Sequence, residues 1–400
     1  MKAGWQEKKL GDVCHFVRGP FGGSLKKSCF VEKGFAVYEQ QHAIYDQFKE
    51  VRYFVDDTKF QEMRRFEVRA NDLIMSCSGT MGKVAIVPKN IRRGIINQAL
   101  LKLTPSKLVV PEFLKYWMDS IDFQRSLKEQ AGGAAIQNVA SVSVLKNIQI
   151  SLPSIQDQQR LVAILDEAFD GITAAKANAE KNLQNARELF DLQVLSVFAQ
   201  KGNGWVEKKL QEVCEKITDG THQTPKYFES GYIFLSSRNV TSGRINWEKI
   251  KYIDEKQHLE MQRRVAPRAG DVLLAKNGTT GVAAMVDRDV AFDIYVSLAL
   301  LRARPEMLPA YLLHFINSPN AKLQFNNRLK GVGVPNLHLE EIREVNIAFP
   351  KSLAEQQAVV SKLDNFRAET QRLESLYQQK LTALAELKKS LLHEAFSGKL

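Results

Sequence analysis

The sequence predicts an α+β chain: two similar globular domains separated by two long helices that pair as an antiparallel coiled coil, in a pseudo-twofold, circular arrangement. Three observations predict it. The first is a duplication: "GWQEKKLGDVC" at Gly4 returns as "GWVEKKLQEVC" at Gly204, with eight of eleven positions identical. The second is that further echoes follow in the same order. "NDLIMSCSGTMGKVAIV" at Asn71 matches "GDVLLAKNGTTGVAAMV" at Gly270, and "VPEFLKYWMDS" at Val110 matches "LPAYLLHFINS" at Leu308. Gly-rich "AGGAAIQN" at Ala131 matches "KGVGVPN" at Lys330, and "NIQISLPSIQDQQRLVAILD" at Asn147 matches "NIAFPKSLAEQQAVVSKLD" at Asn346. One long period of this kind is a tandem duplication, not a solenoid of short repeats. The third is that each half ends, after Pro153 or Pro350, in a long segment almost free of Gly and Pro.

Each element has its reason. Residues 1–153 mix short β-like runs (Ile74 to Met75, Val84 to Val87) with Gly and Pro punctuation, which reads as a first α+β domain. Residues 154–202 read as a central helix: Ser154 can cap its start, Gly171 is its one internal glycine, and Gly202 stands where it stops. Residues 203–350 repeat the domain, with a β-like run from Val272 to Ala275. Residues 351–400 repeat the helix, from Ser352 to Gly398.

The C-terminal helix carries Leu363, Thr370, Tyr377, Leu384 and Leu391 at steps of seven. Phe366, Leu373, Lys380 and Leu387 fill a second seam, weak at Lys380. The central helix answers with smaller residues: Leu165, Ile172, Ala179 and Ala186, then Ala168, Ala175 and Leu189. Helices of roughly 45 residues span about 67 Å, too long for one domain to cover, so pairing is expected. The first helix leaves one domain and arrives at the other, so the second must run back antiparallel. "FAQKGNGW" at the centre shows intact the junction that the two chain ends leave cut, which gives the circular expectation.

Charge narrows the function. Fifty-six Lys and Arg against 45 Asp and Glu leave a net charge of +11, and the pI is about 9.3. That favours a polyanion, most often nucleic acid; a basic protein without such a partner is the plainer alternative. Cys14, Cys29, Cys77 and Cys214 form no C-x-x-C pair, and no His stands at zinc-ligand spacing from them, so no metal site is expected. Buried thiols in a reducing compartment fit better. With no apolar signal core and no run of about 18 apolar residues, a cytoplasmic protein without membrane contact is expected.

Two similar domains in a basic chain suit two nearby DNA elements. The domains differ where they would read: "RGPFGGSLKKSCF" stands against "TDGTHQTPKYF". The expected target is two short unlike elements separated by unread bases. In the first domain Arg18, Lys26 and Lys27 surround a Gly-rich loop able to approach phosphate, or an ordinary polar turn. In the second, Thr221, His222 and Lys226 occupy the matching stretch. There Asp219 either accepts from cytosine N4 or makes a turn with Gly220. Ser78, Thr80, Lys83, Lys276, Asn277, Thr279 and Thr280 lie on two Gly-containing loops after apparent strands. Those glycines also make turns, and both roles can hold. Arg64 and Arg65 match Arg263 and Arg264, as phosphate ligands or as solvated helix charges. Arg238 and Asn239 could read guanine and adenine. Asn97 and Gln98 resemble adenine readers but flank an apolar run.

This organisation resembles the specificity subunit of a type I restriction-modification system, over the full length. The pieces that carry the resemblance are "GWVEKKLQEVC", "TDGTHQTPKYFESGYIFLSSRNV", "GDVLLAKNGTTG", "RGPFGGSLKK", "LPSIQDQQRLVAILD" and "LLHEAFSGKL"; their repeated order is more specific than any one of them. The resemblance implies two target recognition domains, a bipartite double-stranded DNA site, and helices that hold two methyltransferase subunits and, through that core, restriction subunits. It implies no catalysis and no cofactor in this chain; S-adenosylmethionine, ATP and Mg would belong to the partners. The residues agree so far as motifs go. "GTMGKVA" lacks the spacing and the Ser or Thr of a phosphate-binding loop, "NSPNAK" at Asn317 is not an adenine-methyltransferase signature, and no G-x-S-x-G or H-E-x-x-H occurs. The alternatives are a DNA-reading domain pair with its own methyltransferase or nuclease activity, and an adaptor that links only proteins.

Overall fold

The structure, a computed structural model, describes residues 4–21, 23–129, 141–200, 204–240, 243–278, 280–329 and 336–400. It divides into two compact units, Met1–Ala179 with Gln379–Leu400, and Glu180–Gln378.

In the first unit the strands are β1 (Gln6–Lys9), β2 (Cys14–Arg18), β3 (Phe35–Tyr38), β4 (Tyr53–Val55), β5 (Leu73–Ser76), β6 (Val84–Ile86), β7 (Gly94–Ile96), β8 (Leu100–Pro105) and β9 (Gln149–Leu152). An antiparallel sheet has the order β2-β8-β5-β6. A smaller sheet, β4-β3-β7, pairs β3 and β7 in parallel, and β1 pairs with β9. β5 reads "LIMS" and is buried at every position, as a strand covered on both faces must be. Its alternation divides the core. Leu73 and Met75 pack with Leu101, Leu103, Phe113 and Leu114, whereas Ile74 joins Tyr38, Ala85, Ile96 and Leu100. One face therefore carries the helix Pro111–Asp119 and the other the small sheet.

The second unit repeats this in β10 (Trp205–Lys209), β11 (Cys214–Asp219), β12 (Tyr232–Leu235), β13 (Lys251–Ile253), β14 (Val272–Ala275), β15 (Ala283–Met285), β16 (Phe292–Ile294), β17 (Leu298–Ala303) and β18 (Asn346–Pro350). The sheets are β11-β17-β14-β15, β13-β12-β16 and β10-β18. Val272 and Leu274 pack with Leu301, Tyr311 and Phe315, while Leu273 and Ala275 pack with Phe292, Leu298 and Leu300. The duplication thus reaches down to which face each core residue takes. Cys14, Cys77 and Cys214 are buried, and burial pushes each thiol up to about 12.

The central helix runs Ile155–Ala199 and the C-terminal helix Leu353–Ser397, 45 residues each. The Ser154 hydroxyl accepts from the Asp157 amide at 3.1 Å, capping the first. One turn in, buried Gln158 accepts from the Val110 amide and donates to the carbonyls of Leu108 and Pro153. Gln356 does the same with Leu308, Glu306 and Pro350. Each glutamine ties its helix to backbone groups of its own domain.

Within each unit, portions of both helices pack antiparallel. In the first, Leu165 and Phe169 pack with Leu392 and Ala395, with Ile172 and Leu391 at the margin. In the second, Phe190 stacks on Phe366 at 6.5 Å and Arg187 meets Glu374 at 3.2 Å. Val194 and Phe198 share a core with Val360 and Leu363. The less exposed stripe of the C-terminal helix passes through Leu363, Phe366, Thr370, Glu374, Tyr377, Leu381, Leu384 and Leu391. Leu373 and Leu387 lie outside it, and on the central helix Phe190 faces inward where Leu189 is exposed. The first seam keeps its seven-residue step while the second slips by one residue.

The duplicated Gly-Trp motif joins helix end to domain. The Trp5 ring lies 6.4 Å from Phe113, which meets Phe396 edge-on at 5.2 Å. Trp205 lies 6.4 Å from Tyr311, which Phe198 meets at 5.5 Å. Leu10, Val13, Leu210 and Val213 are buried beneath.

Candidate nucleic-acid interface

In each domain the chain leaves the first strand of the larger sheet (β2 or β11) through a glycine that nothing larger can replace. A Cβ on Gly19 would come within 1.9 Å of the Asn97 carbonyl oxygen, and one on Gly220 within 1.8 Å of that of Ile294. Beside these exits lie the loops after β5 and β14. Gly82 and Gly281 turn them with φ of 80° and 87°. In the first, the Ser76 hydroxyl donates to the Thr80 carbonyl and accepts from the Lys83 amide, while Gln124 donates to the Gly82 carbonyl. Gln40 holds Ser78 by donating to its carbonyl. Thr80 and Lys83 are therefore exposed on a braced loop.

The two domains put opposite charges at this shared place. In the first, the buried Cys77 thiol donates to the Met75 carbonyl, and the Arg18 guanidinium beside it pulls against the burial that raises its pKa. Lys26, Lys27, Arg64 and Arg65 are exposed, the last three on the 3-10 turns Lys27–Cys29 and Arg64–Phe66. In the second domain Asp219 takes the place of Arg18 and Lys276 that of Cys77. Lys276 Nζ reaches Asp219 Oδ2 at 2.6 Å, Arg264 reaches Oδ1 at 2.6 Å, and His222 Nε2 lies 3.3 Å from Oδ1. Burial opposes ionisation of Asp219, but hydrogen bonds and charge from Lys276, Arg264 and His222 outweigh it and hold the carboxyl below its ordinary value. Lys276 is buried and occupied, Arg264 is half-occupied, and Arg263 is exposed. Thr280 donates to the Lys276 carbonyl. Thr279, residues 130–140 and residues 330–335 lie outside the described residues.

Two clefts open on the second domain. One of about 680 Å³ lies between Thr221, His222 and Lys226 and the helix Glu255–Arg264. Gln257 clamps the Lys226 backbone by accepting from its amide and donating to its carbonyl. The other, of about 620 Å³, is lined by Tyr227, Phe234, Arg238, Lys251, Asn277 and Tyr295 among others. Arg238 is exposed on the 3-10 turn Ser237–Asn239. Asn239 is buried beneath it: its Oδ1 accepts from the Ser236 amide, and its Nδ2 donates to the carbonyls of Asn246 and Lys249. That amide holds the turn that presents Arg238. Asn277 Oδ1 is buried without a hydrogen-bond partner among the described residues, as are those of Asn320 and Asn336.

The sequence reading named Asp219 but missed its anchoring role, and it missed Lys251 and the paired glutamines altogether. Asp219 anchors three basic side chains, and its partner Lys276 is 57 positions away. Lys251 holds its ammonium 3.7 Å over the Tyr227 ring, and the basic-aromatic alternation of "TPKYF" and "KIKYI" was the available signal. Gln158 and Gln356 were marked only by the repeated "QQ". Among the described residues no group of three or more His, Cys, Asp or Glu could hold a metal ion, and no helix is long and apolar enough to cross a membrane.

Comparison with known proteins points the same way. The model of the type I restriction modification DNA specificity domain matches residues 2–184 and again residues 202–383. The MjaVIII type I restriction enzyme specificity subunit of Methanocaldococcus jannaschii is 21% identical over 99% of this chain and 93% of its own. The EcoBI specificity subunit of Escherichia coli is 28% identical over 36% of this chain and 29% of its own. Among solved structures, a chain from a study of complex assembly and conformational transition of the type I R-M system superposes with a TM-score of 0.80. It is 20% identical and covers 100% of this chain and 99% of its own. The HsdS subunit of Thermoanaerobacter tengcongensis has a TM-score of 0.64 at 19% identity, covering 99% and 97%.

Proposed function

Because the chain belongs to the type I restriction modification DNA specificity domain family, with a match in each half, we propose that it reads a bipartite, asymmetric double-stranded DNA site. Each domain reads one short element, and the bases between go unread. The observation that carries this is the pair of equivalent strand exits with opposite chemistry, Arg18 beside Cys77 in one domain and Asp219 beside Lys276 in the other. One fold bearing different side chains at one place is what reading two unlike elements requires. In the first domain Arg18, Lys26, Lys27, Arg64, Arg65 and Lys83 supply phosphate contacts, with Ser78 and Thr80 on the braced loop. In the second, Arg238 reads guanine and Asn277 accepts from an exocyclic amine.

The chain itself is non-catalytic in this reading and works in the cytoplasm as a scaffold. The long helices hold two methyltransferase subunits, to which restriction subunits add. S-adenosylmethionine, ATP and Mg act on the partners. The test is methylation of random-sequence DNA by the chain alone and with its methyltransferase subunit. One bipartite site, methylated only when the partner is present, is expected. Methylation or cutting by the chain alone would sink the reading in favour of a domain pair with its own activity. The absence of any salt-sensitive DNA affinity would favour a protein adaptor.

A further inference from the structure

The most exposed large apolar side chain among the described residues is Phe21, at 93%. It is not a loose end of chain. Pro20 before it and Leu25 after it are buried, Gly19 donates from its amide to the Leu100 carbonyl, and the Phe21 carbonyl accepts from the Ser24 amide at 2.9 Å. The chain on either side of Phe21 is thus anchored while its phenyl ring projects into water. From Arg18 to Lys27 there are three cations and no Asp or Glu, so the segment that carries the ring is purely basic. A protein-docking anchor is set among apolar neighbours with a mixed polar rim. An aromatic projected from cations alone fits a ligand that is anionic outside and stacked inside, which is nucleic acid.

Resting on the reading of this chain as a DNA-specificity subunit, we infer that Phe21 is a stacking wedge. It inserts at one base step of the element read by the first domain, while Arg18, Lys26 and Lys27 hold the flanking phosphates. At the equivalent place, two residues beyond Gly220, the second domain has no phenyl ring but His222, which is tied to Asp219 at 3.3 Å. Unstacking by this turn, apart from that of the methylated bases themselves, should therefore occur in one half of the target only.

The experiment uses the chain assembled with its methyltransferase subunit, on the duplex whose methylation defines its site. 2-Aminopurine is placed at successive positions of each half, and separate duplexes carry 5-iodouracil for photocrosslinking. Beside any rise at the bases that the methyltransferase itself unstacks, a further fluorescence rise is expected at one step of one half-site, with a crosslink to the peptide containing Phe21. Phe21→Ala should lose both and weaken binding roughly ten-fold. The salt slope should stay unchanged, because no charge is removed. Phe21→Trp should restore binding and the fluorescence rise. Parental affinity and fluorescence in Phe21→Ala would overturn the wedge. So would failure of Phe21→Ala to hold the methyltransferase subunit before DNA is added, which would make Phe21 a protein contact. A parent complex without salt-sensitive DNA affinity would remove the underlying reading, and the wedge with it.

Discussion

Asp219 shows how one side chain settles the electrostatics of a domain. Its carboxylate is buried and faces Lys276, itself buried, and Arg264. Removing one member of a buried pair strands the other, at a cost of about 3–5 kcal/mol. Asp219→Asn should therefore lower unfolding stability by that order, read by urea denaturation, whereas substitution of exposed Arg263 should change little. The carboxyl is held below its ordinary value of 3.8. Its contribution is thus full above pH 3.8 and is lost as the pH falls through the lower folded value. The parent should lose stability in that acid window, and Asp219→Asn should not show this part of the loss. In the sequence, "TDG" offered Asp219 as a turn former or a base acceptor, because neighbours are all a sequence displays. Its ion pair spans 57 positions and becomes visible only when β11 and β14 are brought together around β17.

At the scale of elements the duplication was legible because it repeats, and the long helices because they lack Gly and Pro. The sheets were less so: strands such as Val84–Ile86 and Gly94–Ile96 have three residues each, too few for a periodic signal to declare itself. The helix seam fell between. A seven-residue count placed Leu363 and Leu387 alike on facing seams, yet Leu363 is fully buried and Leu387 is 47% exposed. Leu363→Ala should cost about 2–5 kcal/mol by leaving a cavity in the core it shares with Val194 and Val360. Leu387→Ala should cost well under that, within the range of surface substitutions. Equal losses in thermal or urea unfolding would mean that the second seam keeps the strict heptad as the first does.

At the scale of the whole molecule, the proposed function asks the long helices to fix how far apart the two DNA elements lie, and that can be varied without touching either reading domain. Each compact unit contains its own share of both helices, the divisions falling after Ala179 and after Gln378. Insertions at these two points leave the buried contacts within each unit unchanged. Seven residues in each helix add about 10 Å at 1.5 Å per residue and turn the helix face by only about 20°. At 3.4 Å per base pair, the unread spacer should then grow by roughly three base pairs. The two read elements should keep their sequences, as scored by methylation of host DNA carrying the variant chain. Five residues in each helix rotate the face by about 140° at 100° per residue. That phase turns the pairing stripe away, so assembly and methylation should fail. Unchanged spacing after the seven-residue insertion would remove the helices from the role of ruler. Altered half-site sequences would mean that helix length acts on the reading loops themselves.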